Sequence, residues 1–279
     1  MSVGVLEKNG TAKWLQKIGA VDLGVIVLPK CYSENAKSYE KAGFDTYIYD
    51  EKKYVNDDFE FFGFRKRNCG GVGRQGIAEA TEKYGDDFIC FQIDDDTGGY
   101  TVKDVEKNKA ISVRDRQSLI DIIQAFDKFY ELTGIECMGK TGATPPSGNF
   151  ISNRKIFNNF IMRKGNRLNF DGFKALCSDD CRYNLYNSVL NAQPMIATEI
   201  VSISFTQNQG DRDDGNAVIY NGDYSWKKSY SLKMMWPWGV EQRIKEESNR
   251  ILFRENFCAS LIYPYISIGE NGKIIGKLR

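Results

Sequence analysis

Hydrophobic residues in the first part of the chain occur in short runs, and stretches with helical composition separate them. Residues 21–29, 46–49 and 88–93 are such runs, and each predicts a strand. Residues 34–41 and 77–84 have helical composition, and a glycine follows each shortly afterwards. The order strand, helix, strand, helix, strand predicts an α/β fold with a parallel sheet flanked by helices.

The pattern continues beyond these elements. Residues 118–132 carry apolar side chains at helical spacing and predict an amphipathic helix. Residues 158–163 and 197–205 are predicted to be strands, and residues 181–190 a helix between them. No internal repeat or low-complexity tract interrupts the chain, so we expect one domain spanning residues 1–279.

The overall charge is balanced, with 38 Lys and Arg residues against 37 Asp and Glu residues. No global field therefore indicates a nucleic-acid partner, and such a partner would need a local basic patch. The first residues do not resemble a signal peptide, and the longest apolar runs are too short to cross a bilayer. We therefore expect a soluble, cytoplasmic protein without a membrane partner.

The absence of histidine restricts the chemistry further. It excludes Ser-His and Cys-His nucleophiles, and also histidine as a general base. The seven cysteines are scattered and lack the paired spacing of a zinc site, which favours reduced thiols. Carboxylates, Lys, Tyr, Cys or a metal held by oxygen remain, and oxygen ligands suit Mg2+ or Mn2+ better than Zn2+.

Three consecutive aspartates, Asp94, Asp95 and Asp96, follow the third predicted strand. Ligands of α/β sheets bind beyond the carboxyl ends of the strands. Adjacent carboxylates repel one another by roughly 1 kcal/mol or more per close pair, so a divalent cation with nucleotide phosphates is the expected occupant. In an extended segment Asp94 and Asp96 point the same way, while Asp95 points to the other face. We therefore assign Asp96 to the metal, and Asp94 to the nucleotide ribose or to a metal-bound water. Asp94 is thus a candidate for both the metal and the nucleotide sugar, and Asp95 is a further candidate for the nucleotide sugar. The alternative is an acidic turn in solvent.

A glycine-rich segment, residues 67–76, precedes the second predicted helix. Glycines allow close approach of a ligand, and Arg67 and Arg74 provide cationic groups for phosphate or a sugar hydroxyl. The segment matches neither the P-loop nor the dinucleotide fingerprint. We assign Arg67, Asn68, Gly73 and Arg74 to the nucleotide sugar; the alternative is a plain turn into a helix.

Asp179 and Asp180 open the predicted helix of residues 181–190. They can act as the general base that deprotonates an acceptor hydroxyl, because no histidine is present for this role. The alternative is a helix cap with favourable dipole charges.

These features, in this order, resemble the GT-A glycosyltransferase plan over roughly the first two thirds of the chain. The resemblance implies a GT-A-like Rossmannoid fold, with a mostly parallel sheet flanked by helices and a C-terminal acceptor-side extension. It implies that residues 1–115 form the nucleotide-sugar-binding half and residues 116–279 the acceptor-binding half. It also adds Pro29, Lys30 and Asp50 to the donor site.

Within that plan, the chain resembles the TET-associated glycosyltransferases of bacteriophages. The resemblance rests on residues 67–74 (RNCGGVGR), 92–96 (QIDDD) and 158–163 (NNFIMR). It implies transfer of a sugar from a nucleotide sugar, expected to be UDP-linked, to 5-hydroxymethylcytosine or 5-hydroxymethyluracil in double-stranded DNA. For a phage-encoded protein the location is the host cytoplasm.

The resemblance also implies Mn2+ or Mg2+, but the chain departs from the plan at this point. Many GT-A enzymes complete the metal site with a C-terminal histidine, and this chain has none. The third protein ligand is therefore unidentified. An aspartate or water can take its place, and the candidate aspartates are Asp211, Asp213, Asp214 and Asp223.

A base in duplex DNA must be flipped out before it can accept a sugar, and this requires phosphate contacts around the pocket. For each candidate cation the alternative is a solvated surface. Two other functions stay open, namely transfer to a carbohydrate, lipid or protein acceptor, and metal-dependent nucleotidyl transfer. The candidate DNA-binding residues are Arg65, Lys66, Arg163, Lys164, Arg167, Lys227 and Lys228.

Overall fold

The computed structural model describes much of the first half of the chain and short strands of the second half. The described residues are 5–54, 70–84, 89–95, 97–104, 106–133, 137–141, 150–152, 160–163, 195–204, 241–247, 250–256, 267–268 and 274–275. The described α-helices are α1 (Gly10–Lys17), α2 (Ala36–Lys41), α3 (Gly70–Glu82) and α4 (Arg116–Thr133).

Two parallel strands form the first sheet, β1 (Val25–Pro29) and β2 (Asp45–Tyr49). Their register runs from the Val25–Asp45 pair to the Pro29–Tyr49 pair, and α2 lies between them in the chain. The prediction of a parallel strand–helix–strand unit is therefore confirmed. The elements are shorter than predicted, because 3-10 turns occupy Val21–Leu23 and Lys30–Asn35.

Different helices cover the two faces of this strand pair. Leu28 of β1 is fully buried in a core that also contains Leu15 of α1 and Tyr39 of α2. On the other face, Tyr49 of β2 packs against α3 at Gly76. Side chains alternate between the faces of a strand, so β1 and β2 form the middle layer of a helix–sheet–helix arrangement.

Helix α3 begins earlier than predicted, at Gly70 instead of residue 77, so the glycine-rich segment lies within the helix. Glycine is a poor helix former, which is why the sequence pattern places these residues before the helix. Packing provides the compensation at Gly76, where an added Cβ would lie 2.4 Å from the ring of Tyr49. The lack of a side chain lets α3 approach β2 closely.

Seven further strands form the larger sheet, in the order β3-β8-β6-β9-β4-β5, with β7 paired to β9. The β6–β9 pairing is parallel, and the other pairings described in this sheet are antiparallel. The strands are β3 (Ile89–Gln92), β4 (Thr97–Asp104), β5 (Lys109–Ser112), β6 (Cys137–Thr141), β7 (Phe150–Ser152), β8 (Phe160–Arg163) and β9 (Met195–Ser204).

The third predicted strand therefore forms, as β3, but it pairs antiparallel with β8 instead of extending the parallel sheet. Residues 93–96 lie between β3 and β4 in the chain, but β4 is not next to β3 in the sheet, where the described partner of β3 is β8. The prediction of a mostly parallel sheet thus applies to β1 and β2 and is wrong for the larger sheet. The described part is mixed helix and strand with a small parallel sheet, which agrees with the α/β class.

The other predicted elements have mixed outcomes. Helix α4 and the strands β8 and β9 confirm the predictions for residues 118–132, 158–163 and 197–205. The helix predicted for residues 181–190 lies outside the described residues. Two antiparallel hairpins were not predicted: β10 (Glu241–Glu247) with β11 (Arg250–Asn256), and β12 (Ser267–Ile268) with β13 (Ile274–Ile275).

The larger sheet combines strands from both sides of residue 115. The predicted division at this residue therefore does not separate two sheets. In the part of the chain that is described, no helix has both the length and the apolarity required to span a lipid bilayer.

Candidate functional site at the end of β3

The acidic cluster lies in a turn that joins β3 to β4. The Thr97 N–H donates to the Asp94 carbonyl over 3.2 Å, which closes a turn across residues 94–97. Asp94 and Asp95 are both half-buried, and Asp96 lies outside the described residues. The argument that Asp94 and Asp96 face the same way assumed an extended segment, whereas the backbone turns at Asp94 and Asp95. Their assignment to a metal stays a prediction.

Arg74 and Asp94 form a buried ion pair in which the Arg74 Nη2 and Asp94 Oδ1 atoms are 3.6 Å apart. The two side chains are 6% and 16% exposed. Arg74 belongs to the glycine-rich segment on α3, and Asp94 is the first of the three aspartates. The structure thus brings together two of the motifs that the sequence identifies as candidate donor-binding elements.

This pair changes the electrostatic argument made from the sequence. Three adjacent carboxylates need a nearby positive charge, and Arg74 supplies one from within the chain. The N-terminus of α1, which carries partial positive charge, also points at the turn. The acidic turn is therefore partly neutralised by the protein itself.

Residues at the start of α1 bond directly to the backbone of the acidic turn. The N–H groups of Gly10 and Thr11 donate to the Asp95 carbonyl over 2.8 and 3.4 Å. The Thr11 hydroxyl donates to the Asp94 carbonyl, and it lies 3.2 Å from the Thr97 carbonyl oxygen. These hydrogen bonds place the start of α1 directly against the acidic turn.

The start of α1 was missed from the sequence, although a signal for it exists. Asn9 is a favourable N-cap residue, and its side-chain oxygen accepts from the Ala12 N–H over 2.8 Å. Buried Ala12 and Leu15 then follow at helical spacing. The sequence therefore indicates the helix, but it does not indicate where the helix packs.

Asn9 also connects α1 to α2, because its Nδ2 donates to the Tyr39 hydroxyl over 3.2 Å. Burial raises the pKa of Tyr39 to about 12; the Asn9 hydrogen bond acts in the opposite direction, and the charge of Asp95 adds to the rise. Tyr39 is therefore neutral at physiological pH.

A hydrogen bond connects the residues that follow β1 and β2, at the carboxyl ends of these strands. The Lys30 N–H donates to the carboxylate of buried Glu51 over 2.9 Å. The Asp50 carboxylate accepts from the Lys52 N–H over 3.2 Å and so caps a short 3-10 turn. Pro29, Lys30 and Asp50 thus lie at the predicted edge of the parallel pair, and their donor-binding role stays a prediction. No sequence signal marks Glu51.

Gly73 lies inside α3, whereas the sequence pattern places it in a segment before the helix. It is buried and is the fourth residue of α3. In a regular helix the unpaired N–H groups belong to the positions before this one. Any anion contact from the α3 backbone is therefore expected from Gly70, Gly71 or Val72.

A second charged cluster lies further along α3. The Glu79 carboxylate accepts hydrogen bonds from the Tyr47 and Tyr54 hydroxyls and from the Lys53 ammonium group. Burial raises the pKa of Glu79, but these hydrogen bonds and the charge of Lys53 lower it by more, so the net shift is downward. The cluster joins β2 and the 3-10 turn that follows it to α3.

Residues 160–163, from the third segment on which the resemblance rests, pair with β3. Phe160 of β8 pairs with Gln92 next to the acidic turn, whereas Arg163 pairs with Ile89 at the start of β3. At about 3.3 Å per residue, the Arg163 backbone lies roughly 16 Å along the strand from Asp94. Arg163 is therefore at the far end of β3 from the aspartates, and its DNA-binding role stays a prediction.

The other candidate residues lie outside the described part of the chain, so their positions are not tested. They are the catalytic candidates Asp179 and Asp180, the donor-site candidates Arg67 and Asn68, the metal-ligand candidates Asp96, Asp211, Asp213, Asp214 and Asp223, and the DNA-binding candidates Arg65, Lys66, Lys164, Arg167, Lys227 and Lys228.

Within the described residues, no group of three or more acidic or cysteine side chains is arranged to hold a metal ion. Asp94 and Asp95 are the carboxylates described at the turn, and Mg2+ accepts one or two carboxylates together with water and substrate phosphates. The oxygen chemistry of the turn therefore fits Mg2+.

Comparisons with protein-family models, with curated proteins and with solved structures give no match to this chain.

Proposed function

We propose that this protein is a glycosyltransferase whose nucleotide-sugar donor binds at the turn that contains Asp94 and Asp95. The observation that carries the proposal is the buried Arg74–Asp94 ion pair, which joins the glycine-rich helix to the acidic turn. A donor with a diphosphate needs cationic and hydrogen-bonding groups next to a charge-rich edge of the sheet. Arg74 and the backbone N–H groups at the start of α3 supply groups of this kind.

In this proposal Arg74 holds the Asp94 carboxylate in place, Asp94 and Asp96 would provide oxygen ligands for Mg2+ or Mn2+, and Asp95 would contact the nucleotide sugar. When bound, the metal neutralises charge on the leaving diphosphate. The β1 and β2 edge, with Pro29, Lys30 and Asp50, contacts the nucleoside. Asp179 or Asp180 removes the proton from the acceptor hydroxyl as it attacks the anomeric carbon.

The proposed acceptor is a 5-hydroxymethylpyrimidine in double-stranded DNA. Its support is the resemblance to the TET-associated glycosyltransferases, together with the proximity of the three segments that carry it. Arg74 from the first segment is paired with Asp94 of the second, and Phe160 from the third pairs with Gln92. Segments far apart in the sequence thus converge around β3.

A transfer assay tests the proposal directly. The protein is incubated with Mg2+ or Mn2+, a panel of radiolabelled nucleotide sugars, and matched duplexes that contain cytosine, 5-hydroxymethylcytosine or 5-hydroxymethyluracil. We expect label in a hydroxymethylated duplex and none in the cytosine duplex. The expected by-product is a nucleoside diphosphate, and transfer is expected to be lost in Asp94→Asn.

Other outcomes of the same assay identify the competing functions. Label on a carbohydrate or protein acceptor, with none on DNA, would retain the glycosyltransferase and reject the DNA acceptor. Release of pyrophosphate from a nucleoside triphosphate would indicate nucleotidyl transfer. Equal activity of Asp94→Asn and the wild-type protein would reject the acidic turn as the donor site.

A further inference from the structure

The Thr11 hydroxyl lies between the two ends of the acidic turn. It donates to the carbonyl oxygen of Asp94, and the Thr97 carbonyl oxygen is 3.2 Å away. A threonine hydroxyl has a single proton, so this donor is shared between the residues that begin and end the turn. The Asp94 carbonyl also accepts a hydrogen bond from the Thr97 N–H. The Thr11 hydroxyl therefore adds a second hydrogen bond to the same carbonyl oxygen.

The backbone of α1 acts on the middle of the same turn. The Gly10 and Thr11 N–H groups both donate to the Asp95 carbonyl. These N–H groups belong to the first turn of a helix, where no intrahelical acceptor exists for them. Residue 95 is thus held by the backbone of α1, and residues 94 and 97 are held by the Thr11 side chain.

The surroundings of Thr11 fix its position. Thr11 is 7% exposed, and Asn9, which caps the same helix and bonds to Tyr39, is 5% exposed. Trp14, one helical turn further along, packs edge to face against the Tyr100 ring at 5.3 Å. The Thr11 hydroxyl is therefore presented by a packed helix, and it has little freedom to follow a turn that moves.

We propose that Thr11 is a positioning residue for nucleotide-diphosphate binding, which it supports by holding the backbone at residues 94, 95 and 97 so that the Asp94 and Asp95 carboxylates are available to the donor. The inference rests on the proposed function, because it assigns Thr11 to the same donor site. Thr11 acts through the turn and needs no contact with the donor. Its effect is therefore on donor affinity and on KM, with a smaller effect on kcat.

Thr11→Val tests this inference, because valine keeps the shape of threonine and removes the hydroxyl. We expect Thr11→Val to weaken the binding of Mn2+-loaded UDP by about tenfold, as for one lost buried hydrogen bond, and to raise the donor KM by a similar factor. Thr11→Ser retains the hydroxyl and is expected to stay within about threefold of wild type. Affinity is measured by calorimetry, well below the melting temperature of each variant.

Thr46→Val is the matched control. Thr46 also donates its hydroxyl to an oxygen acceptor, Glu40, but on the exposed face of α2 and β2. This variant removes the same chemical group and is expected to bind UDP like the wild type. If Thr11→Val does not fold, Thr11→Ala is measured in the same way.

The outcomes separate this inference from the proposed function. Unchanged UDP affinity and donor KM in Thr11→Val would overturn the role of Thr11 while wild-type binding upholds the donor site. Equal losses in Thr11→Ser and Thr11→Val would overturn the role of the hydroxyl. If the wild-type protein neither binds a panel of metal-loaded nucleoside diphosphates nor transfers a sugar, the donor site and the inference both fail.

Discussion

Helix α3 carries a half-buried charge, Glu79, and a buried charge, Arg74, in contrasting settings. Glu79 accepts hydrogen bonds from Tyr47, Tyr54 and Lys53, which all lie in β2 or in the turn that follows it. Arg74, five positions earlier, lies beside Asp94 with 3.6 Å between the charged atoms, which is longer than a hydrogen bond. Both charges are compensated, but their partners come from different parts of the chain.

The origin of the partners separates a structural charge, Glu79, from a candidate functional charge, Arg74. The partners of Glu79 come from β2 and the turn that follows it, against which α3 packs. The cluster therefore stabilises the packing of α3 on these neighbouring elements. Arg74 is paired with Asp94 in a turn between strands of a different sheet, and Asp95 follows Asp94 in that turn. A charge that reaches across sheets to an acidic turn is the better candidate for ligand binding.

Arg74→Met is expected to have the largest effect. It leaves Asp94 buried without its cation, which we expect to lower the free energy of unfolding by about 3 kcal/mol. Because the turn also loses its neutralising charge, we expect sugar transfer to fall at least about a hundredfold, equivalent to about 2.7 kcal/mol in the barrier. Chemical denaturation and the transfer assay measure the two effects.

Arg116→Met is the control for Arg74→Met. The Arg116–Asp22 pair is shorter, at 2.7 Å, but its side chains are 43% and 57% exposed. Exposed ion pairs contribute little even with good geometry. We expect no measurable change in melting temperature or in transfer. A large loss in Arg116→Met with none in Arg74→Met would reverse the ranking of the two pairs.

Gly76→Ala disrupts the packing that supports both charges. Its new Cβ would lie 2.4 Å from atoms of the Tyr49 ring, so the ring or the helix must move. We expect a loss of about 2 kcal/mol from overpacking, reduced by the better helix propensity of alanine. Thermal unfolding measures this loss. In a Tyr49→Ala background the same substitution should cost nothing, and a persistent cost there would contradict the proposed clash.

Glu79→Gln is expected to have a smaller effect, and its effect depends on pH. At pH 7 we expect a loss of about 1–2 kcal/mol, because three donors lose a charged acceptor. The pKa of Glu79 in the folded protein lies below its ordinary value of 4.5. Its stabilisation is therefore complete above that value and is lost as the pH falls through the folded pKa.

Denaturation at a series of pH values from 7 to 3 checks this dependence, and the difference between wild type and Glu79→Gln should shrink at the acid end. Glu82→Gln, an exposed substitution on the same helix, is the control and should match the wild type throughout. A constant difference across the series would show that Glu79 does not stabilise the protein through its charge. Transfer activity is expected to be unchanged in both variants.

Helices and strands could be predicted from the sequence where the spacing of hydrophobic residues and the positions of glycine and proline indicated the same boundaries. The strands β1, β2 and β3 and the helix α4 follow from apolar runs and spacing, which are local properties. The start of α3 was misplaced, because the helix includes glycines, among them Gly76, which packs against Tyr49, and this contact depends on tertiary packing.

The candidate site was predictable only in part, for a related reason. The Asp94 cluster and Arg74 stand out as charged motifs, so both were identified. Their pairing was not predicted, and neither was the placement of Thr11 against the turn, because strand pairing and helix docking join distant segments. The alternation argument for Asp94 and Asp96 assumed that the strand continues past β3, whereas β3 ends at Gln92 and the backbone turns at Asp94 and Asp95.

The bonds from Thr11 to the acidic turn also have a consequence for the order of folding. They join residues 83 to 86 positions apart, so the turn acquires its final geometry only when the start of the chain has docked. Closing a loop of this length costs several RT in chain entropy, which shorter-range pairings avoid. We therefore expect the β1–β2 unit to form early and the acidic turn to order among the last steps. The mutual repulsion of the aspartates then acts on the chain only after most of the stabilising contacts are in place.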